Sequence, residues 1–180
     1  KGFTPATVVN DAPLFFDAGV TGGQPWEPKN YDGKFEGPMT IRKGLAKSKN
    51  MISIRILQAV GTRNAQEWVT KFGFDEDKHP AYLTMALGAG SVTPMQMATG
   101  YAVFANGGLR VQPHVITRIT DHKGKILVES PAALADESNR AISPRNAFVM
   151  TSLLQEVTRS GTAAKARVVL ARDDIYGKTG

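Results

Sequence analysis

GPMTIRKGLAKSKNMISIRIL, residues 37–57, carries apolar side chains at helical intervals on both sides of Ser48-Lys49-Asn50. The spacing predicts two helices, over 40–47 and 51–60, joined at those three polar residues and closed by Gly61 as a C-cap. A hydroxyl, an ammonium and an amide at the joint admit two readings. Ser and Asn side chains bond orphan backbone groups and favour helix ends, so SKN reads as a cap. It also reads as half of a site.

The basic character of this stretch needs an explanation of its own. Lys and Arg number 22 against 16 Asp and Glu, and 22 − 16 leaves a formal charge of +6. Between Glu36 and Glu67 there is no acid, while Arg42, Lys43, Lys47, Lys49, Arg55 and Arg63 all fall there. Such a run draws anions, whether nucleic acid, acidic lipid or a small carboxylate, or else forms a solvated helix face. A nucleic-acid or anionic-glycan binding module would interleave aromatic rings with its cations. No Phe, Tyr or Trp lies between Glu36 and Glu67, which ranks that module last.

With 180 residues, 42% of them hydrophobic, the chain suffices for one domain or a large piece of one. No run approaches the roughly 18 uncharged apolar residues of a spanning helix. The absence of cysteine excludes structural disulfides and thiolate metal sites. His79, His114 and His122 stand in separate segments without ligand spacing, so each reads as a surface or turn residue and no metal or other cofactor is expected.

Further along, local signals set the remaining elements. Residues 1–36, with Pro, Gly and short apolar runs, read as extended chain and turns. Asn64-Ala65-Gln66-Glu67 has capping-box spacing and predicts a short helix closed by Gly73. Thr93-Pro94-Met95-Gln96 predicts a helix to Phe104, stopped at Asn106-Gly107-Gly108, with Met97, Tyr101 and Phe104 as its core stripe. Val111–Thr120 and Lys125–Val128 alternate around Asp121-His122-Lys123-Gly124 as a β-hairpin. Ser143-Pro144 opens a further helix that ends near Gly161, and residues 175–180 read as an entering strand.

That last segment ends in Lys178-Thr179-Gly180, and it changes the reading of SKN. At ordinary residue usage a KTG triplet occurs in roughly one chain in twenty-five of this length, and an S-x-N in about half, so neither decides anything alone. In this order, 178 − 48 = 130 residues apart, they match two of the three motifs of penicillin-binding proteins and serine β-lactamases: S-x-x-K, S-x-N and K-T-G. Around them NYDGKFEGPMTIRKGLAKSKN, ALGAGSVTPMQMATGYAVFANGG and SGTAAKA resemble the transpeptidase domain of the bifunctional (class A) penicillin-binding proteins. The resemblance covers essentially the whole chain. It implies an α+β fold, an antiparallel sheet packed on a helical subdomain with the site at their junction.

Chemistry gives each motif residue a reason. Acyl transfer from a D-alanyl-D-alanine terminus must release an amine, stabilise an oxyanion and grip a carboxylate. By resemblance, the Ser48 hydroxyl relays a proton to the leaving nitrogen and Lys178 supplies positive charge beside it. Asn50 offers its NH₂ to the substrate's penultimate amide oxygen and its own oxygen to a neighbouring lysine. Thr179 holds the carboxylate, and Gly180 leaves room for the substrate backbone along the strand. Without the resemblance, Ser48 and Asn50 are caps, Lys178 an exposed strand lysine, Thr179 a β-former and Gly180 the start of a turn.

No Ser-x-x-Lys occurs in residues 1–180. Thr40-Ile41-Arg42-Lys43 and Thr120-Asp121-His122-Lys123 have the spacing with threonine but fit better as a helix start and a hairpin turn. The resemblance therefore implies a piece of the domain whose nucleophile lies N-terminal to Lys1. The glycosyltransferase domain, the membrane anchor and the strands after Gly180 are equally outside the sequence, and the piece alone is expected to be inactive. The implied partners are peptidoglycan stem peptides and β-lactams, not nucleic acid, on the periplasmic side of the inner membrane. A D,D-carboxypeptidase or a serine β-lactamase of the same fold would keep both triplets.

Overall fold

The computed structural model describes residues 2–21, 23–130 and 136–180. Strand β1 (Val8–Asp11) pairs antiparallel with β2 (Gly37–Thr40), Val8 opposite Thr40 and Asp11 opposite Gly37. Between them lie a four-residue helix, α1 (Ala18–Thr21), which the turn-rich composition conceals, and a bridge from Phe16 to Trp26 whose rings stack 5.4 Å apart. The second strand runs straight into α2 (Ile41–Ala46), because the Thr40 hydroxyl accepts the Lys43 N–H as an N-cap. The Thr40-x-x-Lys43 spacing is thus a helix start.

Helices α3 (Asn50–Val60) and α4 (Thr62–Val69) follow with a single residue, Gly61 at φ 96°, between them. Asn64 therefore lies inside α4 and does not open it; its amide reaches back to the Val60 carbonyl at 2.8 Å. The expected capping box fails here because Gly61 turns the chain three residues earlier. The fifth helix, α5 (Pro94–Ala105), begins in a complete Thr93/Gln96 capping box, as its sequence predicts. Of the expected stripe, Phe104 packs on the core against Phe72, but the most buried face lies elsewhere. Thr99, Gly100 and Val103 are buried while Met97 is 43% exposed, since the side packed against Phe74 and Phe72 is rotated from Met97.

A hairpin of β3 (Arg118–Thr120) and β4 (Ile126–Glu129) forms with Asp121 accepting the Lys123 and Lys125 N–H groups in its turn. Its first strand is much shorter than the predicted 111–120. Helix α6 (Pro144–Arg159), capped by Ser143, and α7 (Ala164–Leu170) complete the elements. Nothing in the sequence pattern announced the seventh helix. Residues 175–180, expected as an entering strand, form no strand among the described residues.

Packing brings these pieces together around α2 and α3. Met51 and Ile54, wholly buried, pack with Phe16 against Trp26 and Leu83, while Val103, Ala141, Ile142 and Ala147 form a second cluster. Arg42 on α2 donates to the carbonyl and hydroxyl oxygens of Ser152 on α6 at 3.0 and 3.2 Å. At the end of α6 the Thr162 N–H donates to the Ala46 carbonyl at 3.0 Å, so the loop lies directly on the end of α2. Only glycine fits at 161, where a Cβ would stand 2.2 Å from the Ala46 carbonyl oxygen. The chain then returns past Thr158, whose hydroxyl donates to the Ile175 carbonyl at 2.8 Å. That return carries residues 178–180 to the joint between α2 and α3.

Candidate active site

The joint is a Schellman turn with an unusual residue at its centre. The Ser48 N–H donates to the Leu45 carbonyl and the Lys49 N–H to the Gly44 carbonyl, at 3.0 and 2.9 Å. Ser48 occupies the left-handed position, φ 55°, where glycine is usual. For a residue with a Cβ that conformation costs on the order of 1–2 kcal/mol. The backbone therefore caps α2, but the side chains do not cap α3. The residue before α3, Lys49, makes no capping bond, and the Asn50 N–H is met instead by Asn30 Oδ1 at 2.8 Å. The capping reading of the Ser48 and Asn50 side chains is corrected accordingly.

Both side chains face the returning segment or its cleft. Lys178 Nζ donates to Ser48 Oγ at 2.6 Å and to its neighbour's carbonyl, Thr179 O, at 2.9 Å. As an acceptor of the ammonium, Ser48 keeps its own O–H to donate elsewhere. Burial lowers the Lys178 pKa below the ordinary lysine value. Asn50 directs one amide hydrogen at the Lys29 carbonyl, 2.7 Å away, and an amide carries a second. Thr179 Oγ1 stands 2.5 Å from Thr162 Oγ1. Between these groups lies a cleft of about 490 Å³, lined by Asn30, Tyr31, Ser48, Asn50, Thr162 and Gly180 among others.

The hydroxyls of Ser48, Thr162 and Thr179, an ammonium and an amide around one opening form a set that can bind a carboxylate and move a proton. Among the described residues no cluster of His, Asp and Glu has metal-binding geometry. His114 and His122 are exposed, whereas His79 is 9% exposed and its Nδ1 lies 2.8 Å from the Asp75 carbonyl. Of the two expected positions the turn holds and the surface does not: His79 ends the short helical turn Glu76–Lys78 and packs against Phe74 beneath Gly90.

The basic stretch is satisfied internally for the most part. Lys47 meets Glu36 at 2.6 Å, Arg55 donates to the Ala12 and Pro13 carbonyls, and Arg42 holds Ser152. Lys49, 3% exposed, lies among Asp11, Asp32 and Glu36. Burial works against its charge, but the bonds to Asp32 and Glu36 prevail and its pKa is raised. Asp32 is lowered by the Lys34 backbone N–H and then by Lys49; Glu36 is lowered by Lys47 and then by Lys49.

Thr162, Asn30 and Tyr31 were not singled out from the sequence. They stand in SGTAAKA and NYDGKFEG, runs that carry the family resemblance but give these residues no role by themselves. Tyr31 is fully exposed at the cleft, and Thr162 owes its place to the close approach at Gly161.

Comparison with known proteins identifies the family and the fold. A family model described as the penicillin binding protein transpeptidase domain matches residues 4–180. The chain is 46% identical over 181 residues to penicillin-binding protein 1A of Neisseria flavescens, covering 100% of this chain and 23% of that protein. Against penicillin-binding protein 1A of Pseudomonas aeruginosa it is 37% identical, covering 100% of this chain and 27% of that protein. The chain thus spans about a quarter of the length of these curated relatives. The crystal structure of penicillin-binding protein 1A from Haemophilus influenzae superposes with a TM-score of 0.89 at 34% identity, over 100% of this chain and 32% of that one. Penicillin-binding protein A from Mycobacterium tuberculosis shares the fold, with a TM-score of 0.74 at 20% identity over 88% of this chain and 39% of that one. The expected α+β class therefore holds, and the chain belongs to the penicillin-binding protein transpeptidase domain family.

Proposed function

We propose that the cleft between the Ser48–Asn50 turn and the Lys178–Gly180 segment is the acyl-transfer site of a peptidoglycan D,D-transpeptidase. The observation that carries this reading is the 2.6 Å contact from Lys178 Nζ to Ser48 Oγ. The Lys178 ammonium donates to the Ser48 oxygen, so that Ser48 delivers its proton to the amine leaving a D-alanyl-D-alanine bond and takes one from Lys178 in its place. Asn50 holds the penultimate amide of the donor peptide through its second N–H. The Thr179 hydroxyl binds the terminal carboxylate within the positive field of Lys178, and Gly180 admits the donor backbone alongside.

The attacking group is a serine of an S-x-x-K motif in chain preceding residue 1, within a larger protein that also carries a membrane anchor, a glycosyltransferase domain and strands after Gly180. Its site faces the periplasm, where stem peptides are cross-linked, and β-lactams acylate the same serine. Residues 1–180 then form part of one transpeptidase domain and hold no group able to form the acyl-enzyme.

Fluorescent penicillin tests this directly. The full-length protein should be labelled through denaturation, and Ser48→Ala should slow labelling by about 10²–10⁴-fold, the usual range for a lost proton relay. The 180-residue chain should remain unlabelled. Labelling of that chain, or parental rates in a folded Ser48→Ala protein, would overturn the reading.

A further inference from the structure

Lys49 has no task in the acyl transfer, although it sits between two residues that do. Its side chain is 3% exposed, and its ammonium lies 3.0 Å from Asp32 Oδ2, 3.1 Å from Glu36 Oε1 and 3.6 Å from Asp11 Oδ2. It also donates to the Lys34 carbonyl at 3.3 Å. A buried ion pair of this kind is weak evidence for stability, because desolvation offsets much of the attraction; its best attested use is to fix one register. Here the register in question is that of a strained turn.

The second observation lies in Asp11, the last residue of β1 and wholly buried. One of its oxygens accepts Asn30 Nδ2 at 2.7 Å, and Asn30 Oδ1 in turn accepts the Asn50 backbone N–H at 2.8 Å. Its other oxygen accepts the Glu36 N–H at 2.9 Å and faces Lys49. Two arms thus run from one carboxylate to consecutive residues, through Asn30 to the backbone of Asn50 and across the ion pair to the side chain of Lys49. Ser48 is the residue immediately before them. Its left-handed backbone is the one that would relax if its neighbour were released.

We infer that the Asp11–Asn30–Lys49 assembly is a positioning device that clamps the two residues after Ser48 to strand β1, holding the Ser48 hydroxyl on Lys178 and the Asn50 amide at the cleft. Asp11 and Lys49 are positioning residues: the first does not line the cleft, and the ammonium of the second is engaged by carboxylates. The inference rests on the acyl-transfer reading of the cleft and adds to it a group that acts through Ser48 and Asn50. A displacement of about 1 Å in such a constellation is enough for a hundredfold loss.

The experiment uses the full-length protein and time courses of labelling by fluorescent penicillin at several concentrations. Asp11→Asn changes one atom and no volume, but puts an amide where Glu36 N–H and Lys49 need a carboxylate; Lys49→Met removes the ammonium. Misfolded molecules lower the final amplitude, whereas a displaced Ser48 lowers the saturating rate constant of the molecules that do react. Both variants are expected to lose about tenfold or more in that rate constant. The concentration for half-maximal rate should stay within about twofold, and Lys49→Arg should recover part of the loss. Amplitude loss with a parental rate constant, or loss of all reactive protein in both variants, would make the assembly a structural support only and overturn the inference. Ser48→Ala, run in parallel, separates the two claims: if it too reacts at the parental rate, the acyl-transfer reading fails first.

Discussion

The Lys178 ammonium lies 2.6 Å from the Ser48 hydroxyl oxygen across 130 residues of sequence, although Ser48 adopts a left-handed backbone that favours glycine. If Ser48 relays a proton and Thr179 grips a carboxylate, their losses differ in kind. Thr179→Val keeps the shape and deletes one charge-assisted hydrogen bond, about 1.5–3 kcal/mol, so acylation efficiency should fall roughly ten- to a hundredfold. Ser48→Ala should instead act mainly on the rate at saturation. Acylation rates of both full-length variants across a range of β-lactam concentrations check this, and equal patterns would remove the distinction.

Ser48→Gly separates strain from function. Glycine takes the left-handed conformation without the Cβ clash but leaves a freer unfolded chain. The unfolding free energy should therefore stay within about 1 kcal/mol of the parent, on the stable side if strain dominates. Acylation should fall as far as in Ser48→Ala. Denaturant melts and labelling rates on the same preparation measure both; a Gly variant that keeps parental rates would show that the hydroxyl has no part.

Burial of Lys178 predicts opposite pH trends for rate and stability. Its folded pKa lies below the ordinary 10.5, so the charge beside Ser48 is lost as pH rises through that lowered value. Acylation should decline on this limb, and Lys178→Arg, which stays charged, should abolish the limb even if its absolute rate is lower. Stability moves the other way. Across the window between folded and unfolded pKa the unfolded chain binds more protons, so unfolding free energy rises with pH. An unchanged alkaline limb in Lys178→Arg would assign the titration to another group.

Gly161→Ala tests the support beneath Thr162. Its Cβ would stand 2.2 Å from the Ala46 carbonyl oxygen and 2.9 Å from the Val157 Cα, both backbone atoms that cannot swing aside. The loop must shift, at a cost of about 1–3 kcal/mol, and Thr162 with it. Thermal melts should show the loss, and labelling should slow because the Thr162–Thr179 contact opens. A variant as stable as the parent would mean that the loop has room the static packing does not reveal.

Sequence alone determined the elements whose signals close within a few residues. Thr93 with Gln96, Thr40 with Lys43, Ser143 before Pro144 and Asp121 in its turn all bond to groups two to four positions away, so their partners are legible beside them. It also supplied the residue types of the proposed site, since Ser48, Asn50, Lys178 and Thr179 stand in short motifs whose flanks resemble one family. Tertiary structure decided everything that depends on what packs where. It rotated the buried face of α5 away from Met97, buried His79, and placed Thr162 at the cleft through the close approach at Gly161. It also turned Lys49 from one of six cations in an acid-free run into the centre of three carboxylates drawn from β1 and the 30–36 loop. An ion pair or a buried face belongs to two segments at once, and neither segment carries the other's coordinates in its own pattern.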